Sequence, residues 1–373
     1  MKIYRRLLAE VTEDICLSSR QDMKNIYQSL NYIPGRIVWG AIASMTGIKP
    51  GTLTPPSKWF MDIFYSGNVV FSNLYPIKNN YRVKPVPLSA RTKKICPGFK
   101  SDKVDYAEDG IGAGIWDYLL KPMPDEIGDD IKYENFYYGN PPTCETVLQP
   151  FNQQIQHERD VNSGTTKEGM LFSRITIPRK SFFAGYISID DSLDINIEKK
   201  LTDNINFFVE KEIEIPIGRA PGRIKLKLDN ETRYIAKDDI KDDILLKNNK
   251  FIITCYSDTI IMDAYHRYLP YIPGELIQEK LNDILNTCSL MDYYFSSIKV
   301  IQGWNGAYRR PQEEQIAISI GSTFCYTFEA KDDHQSISYR LTDLQNKGIG
   351  LLRSQGFGEI KINDPFHLQD KCI

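Results

Sequence analysis

The sequence predicts an α+β chain of two tandem halves, each running strand, helix, two strands, helix, strand. Three observations carry this. Apolar residues alternate with a period of two in several segments and recur at spacings of three and four in a few others. The halves close alike: Gly222-Arg-Ile-Lys-Leu226 matches Gly358-Glu-Ile-Lys-Ile362, and in each half a helix candidate precedes and a strand follows. At roughly 150 residues per domain, a chain of 373 residues has room for about two. This element order is the split βαβ, or ferredoxin-like (RRM-like), motif. The halves are placed at 1–230, with a long insertion at about 78–150, and at 231–373.

The elements follow in order. Ile3, Arg5, Leu7, Ala9 and Val11 alternate with polar neighbours, as in a half-buried strand. Pro34 suits a first helical position, and Ile37, Val38, Ala41, Ile42 and Met45 recur at helical spacing behind it. Val69–Tyr75 is strand-like. From Lys78 to Lys103, eight cations (Lys78, Arg82, Lys84, Arg91, Lys93, Lys94, Lys100, Lys103) face only Asp102. With Pro85, Pro87 and Pro97 this reads as a basic loop or insertion and not a packed element. Residues 105–150 are rich in Asp, Glu, Tyr, Pro and Gly, a long excursion from the core. Gly169–Ile177 and Phe182–Ile189 are strands joined by a turn at 178–181, residues 197–209 a helix, and 215–228 a glycine turn running into a strand. The charged stretch 229–250 reads as a linker or a hairpin boundary. The second half offers a strand at 251–262, a helix at 274–287, strands at 294–301 and 316–328, and a short helix at 338–347.

Composition narrows the function classes. Hydrophobic residues are 42% and charged residues 25%, which excludes a wholly disordered or fibrous chain. Forty-six Lys and Arg against 48 Asp and Glu give a net charge of −2. That argues against a uniformly basic nucleic-acid binder, although a local basic stripe would suffice. No apolar run approaches the ~18 residues of a membrane span. The opening segment soon meets Glu13 and Asp14, unlike a signal peptide. Seven scattered cysteines with no Cys-x-x-Cys pair read as reduced thiols, without a zinc knuckle, in a cytoplasmic protein.

The sharpest motif is the glycine loop Gly348-x-Gly-x-x-Arg-x-x-Gly-x-Gly358. Four glycines in eleven residues admit positive φ and close approach by a ligand, exposing amides suited to phosphate, and Arg353 adds a guanidinium that can fork onto it. The blander reading is a tight helix-to-strand turn. It is not a dinucleotide fingerprint, which would follow a strand and open a helix. Gly164–Gly169 has P-loop outer spacing, but Met170 and Leu171 stand where Lys and Ser/Thr are required. Gly128-Asp129-Asp130 resembles polymerase metal carboxylates without their strand context. His157, His266, His334 and His367 show no metal-ligand spacing; His157, before Glu158-Arg159-Asp160, is the best placed for acid/base work, with a structural or RNA-positioning role the alternative. Trp39, Trp304 and Phe357 lie beside glycines and arginines, an arrangement suited to stacking on unpaired bases.

Together, Ile33-Pro-Gly-Arg-Ile-Val-Trp-Gly-Ala-Ile42, His157-x-x-Asp160 leading to Gly169-Met-Leu-Phe172, Phe183-x-Gly-Tyr-Ile187 and the terminal glycine loop resemble the RAMP superfamily of CRISPR-associated proteins. Gly303-Trp-Asn-Gly306 and Ala317–Ser322 are most similar to the Csx-type RAMP subunit of subtype III-D effector complexes. The resemblance spans nearly the whole chain, apart from 78–150 and 229–250. It implies two ferredoxin-like modules and a non-catalytic subunit that grips the 5′ handle of the crRNA, beside the large polymerase-palm subunit and other RAMP backbone subunits, meeting target RNA only indirectly. No cofactor, metal, catalytic residue or membrane is implied. Carried onto this sequence, the implied RNA-binding residues are Gly35, Arg36, Trp39 and Gly40 of the first-helix motif and Gly348, Gly350, Arg353, Gly356 and Gly358 of the loop, to which Phe357 is added as a residue for base stacking. The first-half loop, Gly218-Arg-Ala-Pro-Gly-Arg223, departs from the pattern in having fewer glycines, though Arg219 and Arg223 keep its charge. Arg91, Lys93, Lys94, His157, Trp304, Arg309 and Arg310 are further candidates for RNA or partner contact. Two other readings stand beside this one: a metal-independent endoribonuclease processing the crRNA precursor, and a generic single-stranded RNA binder.

Overall fold

In a computed structural model of the chain, described for residues 2–17, 21–23, 26–45, 58–105, 107, 110–119, 130–141, 143–159, 166–190, 199, 203, 214–218, 222–228, 246, 248–281, 284–305, 310–330 and 333–368, the architecture is mostly β with few helices. Strand β1, Lys2–Glu13, turns Leu7, Ala9 and Val11 into the core, as its alternation requires. Helix α1, Gly35–Met45, follows Pro34 and buries Val38 and Ile42. Helix α2, Lys58–Phe64, closes the same core with Phe60, Ile63 and Phe64.

The first sheet adds β2 (Val69–Phe71), β3 (Tyr75–Lys78), β4 (Phe182–Asp190), β5 (Glu214–Pro216) and β6 (Arg223–Leu228). Its order is β5-β6-β1-β4, with β2 and β3 both on the far side of β4, and each of these pairings is antiparallel. Strand β4 is central, so its burial is nearly continuous rather than alternating. The second sheet comprises β7 (Lys250–Cys255), β8 (Leu285–Phe295), β9 (Thr323–Ala330) and β10 (Ile360–Ile362), in the order β8-β9-β7-β10 and again antiparallel. Helices α3 (Gly274–Lys280) and α4 (His334–Lys347) pack against it through Ile277, Ile337, Leu341 and Leu344. Asp333 caps α4 by accepting from the Ser336 amide at 3.0 Å.

Several expected elements differ. The strand expected over 294–301 is two: β8 ends at Phe295, and Ile298–Ile301 begins a separate hairpin with Gln315–Ile318. The strand expected over 316–328 is likewise interrupted before Thr323, where Gly321 takes φ +83°. The helix expected over 274–287 ends at Lys280, because 285–295 is claimed by pairing with β9. The helix expected at 197–209 and the linker at 229–250 lie largely outside the described residues.

The basic stretch 78–103 is packed, against expectation. Ala90–Lys93 pairs with Ile115–Asp117 and Asp130–Lys132, and Lys84–Pro85 with Phe136–Tyr138. Val83, Val86, Ala90 and Phe99 alternate among the cations and are buried. Several of the cations find acceptors. Arg91 donates to the Leu88 and Ala90 carbonyls, and Lys84 lies 2.9 Å from Asn140 Oδ1. This region has its own core, which Phe366 from the end of the second half completes.

Candidate nucleic-acid interface

The glycine loop follows α4 directly. Gly348 (φ +70°), Gly350 (φ +83°), Gly356 (φ +89°) and Gly358 (φ +72°) all occupy the left-handed region, as does Leu352 (φ +53°). A short 3-10 turn, Arg353–Gln355, lies between the glycine pairs. The loop crosses to the first half and meets the N-terminus of α1. There a Cβ on Gly356 would lie 3.0 Å from the Gly35 Cα, and one on Gly35 would lie 2.2 Å from the Phe71 carbonyl oxygen. Two glycines from opposite halves therefore permit a backbone-to-backbone approach closed to any side chain. The Gly35 amide donates to Asn73 Oδ1 at 2.8 Å.

Most of the loop's traceable amides point into the protein. Those of Gly348, Ile349, Leu351 and Gly358 donate to the carbonyls of Leu344, Gly358, Ile260 and Asp258, at 2.8–3.0 Å. The expected run of outward amides is thus narrowed, and the glycines serve the docking of the loop. Arg353 is exposed and donates to the Lys347 carbonyl at 3.0 Å.

Beside this junction the 298–318 hairpin rises, and the two enclose a cleft of about 500 Å³. Arg36 of α1, Leu352, Gln355 and Phe357 of the loop, and Asn305 and Arg310 of the hairpin line it. Arg36 donates to the Gln302 carbonyl. Burial draws its pKa down, opposed by Tyr32 and Asp258. Phe357 is 8% exposed and packs with Ile260, Ile301 and Ala317. Behind the cleft, Asp258 accepts from Tyr32 at 3.1 Å, pairs with Lys299 at 3.1 Å and takes the Ile320 amide at 3.0 Å. Burial, then Asp258, pushes the Tyr32 hydroxyl well above its ordinary pKa. Arg82 and Glu359 lock the loop's far end with a bidentate pair at 2.7 and 2.8 Å, the guanidinium lying over the Tyr75 and Tyr186 rings.

The structure thus brings Arg36, Phe357 and Arg310 together around one cleft, with Gly35 and Gly356 buttressing it. Trp39 is elsewhere: it packs edge-on against Phe64 and Tyr65, and its indole donates to the Phe64 carbonyl at 3.2 Å. Gly40 sits within α1 with open space where a Cβ would go. Arg223 pairs with Glu13 across β1 and β6 at 3.3 Å. Arg91 lies over the Phe295 ring, and Lys93 and Lys94 are exposed. Trp304, on the hairpin, is 64% exposed. His157 lies on the strand Asn152–Arg159, and its side chain, like Arg219 and Arg309, is outside the described residues. Sequence reasoning gave no role to Asn305, Gln315, Gln355 or the Asp258 network: Asn305 lies within Gly303-Trp-Asn-Gly306 and Gln355 within the glycine loop, whereas Gln315 and Asp258 lie in no recognisable pattern. Among the described residues no group of three or more His, Cys, Asp or Glu is placed to hold a metal ion, and no helix is long and apolar enough to cross a membrane.

No protein-family profile matches the chain, and neither does any curated protein sequence. Several solved structures resemble it in outline. A chain of the type III-B Cmr-beta complex bound to cognate target RNA aligns at 14% identity over 91% of this chain and 94% of that one, with a TM-score of 0.45. A chain of the Csm3-Csm4 subcomplex of the type III-A CRISPR-Cas interference complex aligns at 10% identity over 87% and 94%, with a TM-score of 0.40. Cas6 from Thermus thermophilus aligns at 8% identity over 97% and 99%, with a TM-score of 0.37.

Proposed function

We propose that this chain is a non-catalytic RNA-binding subunit of a type III, III-D-like CRISPR RNA-guided interference complex in the cytoplasm, and that it holds the 5′ handle of the crRNA at the cleft described above. The observation that carries the reading is the convergence of Arg36, Arg310 and the glycine loop from three separate segments onto one cleft, with Arg353 exposed next in the chain to Leu352 of its lining. Permanently charged guanidiniums at the mouth of a groove with apolar walls suit a single-stranded polyanion whose bases stack. The sheet order supports the architecture expected of such a subunit. Numbering the strands of each half β1, β2, β4, β6 and β7, β8, β9, β10 in turn, the order is fourth, first, third, second in both, which we read as tandem ferredoxin-like modules. The other RAMP subunits and the large polymerase-palm subunit are the partners this reading entails.

The test is affinity for repeat-derived RNA as a function of salt. For a single strand the log–log slope is about −0.7 per neutralised phosphate, so Arg310→Ala and Arg353→Ala should each make it shallower by about that amount. An unchanged slope in both removes the cleft from the phosphate path. Repeat-specific cleavage in chelator that disappears in His157→Ala would replace the non-catalytic reading with the ribonuclease one.

A further inference from the structure

We propose that the turn formed by residues 263–267, beside the cleft but outside it, is a second station for the bound RNA strand, where Tyr265 stacks on a base and Arg267 meets a neighbouring phosphate. This rests on the RNA-binding reading above and adds to it a separate contact. The turn springs from the cleft's own wall. Ile260 pairs with Leu351 of the glycine loop, and Met262 pairs with Tyr268 to close the turn. Tyr268 in turn packs against Ile260, Ile301, Ala317 and Phe357, two of which line the cleft. Asp263 follows Ile260 by three residues, about 10 Å of extended chain, so a strand leaving the cleft past the exposed Leu351 has the turn beside it.

One carboxylate frames this turn. Asp263 Oδ1 accepts from the Tyr265 and Arg267 amides at 2.9 Å each, and Oδ2 from Arg267 Nε at 2.7 Å. The Asp263 amide donates to the Arg267 carbonyl and the His266 amide to the Asp263 carbonyl, both at 3.0 Å, with His266 at φ +60°. What the frame displays is exposed: Tyr265 by 79% and the Arg267 side chain by 73%, the guanidinium 5.3 Å from the ring centroid. Arg267 spends Nε on Asp263, which leaves its two terminal nitrogens for an outside acceptor such as a phosphate oxygen. From Ala264 to Gly274 the sequence carries no Asp or Glu that would repel one. An aromatic ring already held still binds with little further ordering cost, and every base has a face to stack on it. Asp263 offsets the charge of Arg267, so the turn contributes chiefly by stacking and position.

Full-length protein would be titrated at low salt with fluorescein-labelled oligouridylate tetramers, which fill the cleft alone, and dodecamers, which also reach the turn. Tyr265→Ala should weaken the dodecamer about ten-fold and leave the tetramer within about two-fold. Tyr265→Phe, which keeps the ring, should bind the dodecamer like the unaltered protein. Asp263→Ala gives the sharper contrast. It removes a negative charge, so a turn acting by charge alone would bind the dodecamer more tightly, whereas loss of the frame should weaken it about three-fold. Tighter binding by Asp263→Ala overturns the positioning of Tyr265. Equal weakening of both lengths in Tyr265→Ala overturns the separate station. An unchanged dodecamer affinity in Tyr265→Ala overturns the inference and leaves the cleft standing; should that variant also lose co-purifying subunits, the turn is a protein contact instead. Absence of binding of either length by the unaltered protein overturns both the inference and the RNA-binding reading.

Discussion

Arg82 and Glu359 are 18% and 16% exposed, largely withdrawn from water, and each is the other's main counter-charge. Burial alone would draw the arginine pKa down, but the carboxylate outweighs it and the net shift is upward. Removing one partner leaves a desolvated charge behind, so Arg82→Ala should destabilise the protein by about 3 kcal/mol. Adding Glu359→Ala should restore part of that loss, and a double-mutant cycle in urea would measure the coupling. A second buried pair makes stability depend on pH. His367 Nδ1 is 2.6 Å from Asp117 Oδ2, and Nε2 is 2.8 Å from Thr254 Oγ1. Burial lowers the His367 pKa, yet Asp117 and then Asp364 raise it above 6.5 on balance; burial raises that of Asp117, yet His367 lowers it below 3.8 on balance. The raised histidine contributes stability that is complete below pH 6.5 and is lost as pH rises through its folded pKa. The lowered aspartate contributes stability that is present above pH 3.8 and is lost as pH falls through its own. Thermal unfolding of the unaltered protein and of Asp117→Asn should therefore differ most between those limits and converge toward alkaline pH. A constant difference from pH 5 to pH 9 would contradict the ion pair.

Two glycines, one within α1 and one in the loop that meets its N-terminus, behave oppositely. Gly40 is in a helix interior with open space around it, so Gly40→Ala should raise stability by about 0.5–1 kcal/mol. Gly356 has φ +89° and faces Gly35 across the junction, so Gly356→Ala should lower stability by at least about 1–2 kcal/mol. Chemical denaturation of both variants checks the contrast. The sequence made α1 and β1 legible because their apolar periods are clean, and it marked the glycine loop because four glycines in eleven residues have few other uses. It misread 78–103 because a count of charges hides the spacing of Val83, Val86, Ala90 and Phe99 between them. It merged β8 with Ile298–Ile301 because both are apolar strands, and only the pairing partner distinguishes them. Asn305, Gln315 and Gln355 were invisible for another reason: carboxamides have no sequence signature until the fold places them in one cleft.

At the scale of the whole molecule, the two halves share more than the glycine junction. Arg82–Glu359, Tyr32–Asp258, Tyr137–Asp364 and Asp117–His367 all join a residue before 140 to one after 255. Phe366 also completes a core whose other members are residues 86–144. Four buried polar links and a shared apolar cluster couple the halves, so calorimetry should record one unfolding transition with matching calorimetric and van't Hoff enthalpies. Gly356→Val, which wedges the junction apart, should broaden that transition or split it in two. Two resolved transitions in the unaltered protein would contradict the coupling.

Glu359 pairs with a residue made 277 positions earlier. At about 5–20 residues per second, a ribosome needs roughly 14–55 s to cover that distance. Throughout that interval Arg82 waits without its counter-charge, over the Tyr75 ring and, once residue 186 has been made, over that of Tyr186 as well, and the 86–144 core lacks Phe366. The nascent chain thus passes through a long window in which its first half is formed yet still uncovered. That window is when chaperones, or an early-arriving RNA, would have most influence on whether the chain folds or aggregates.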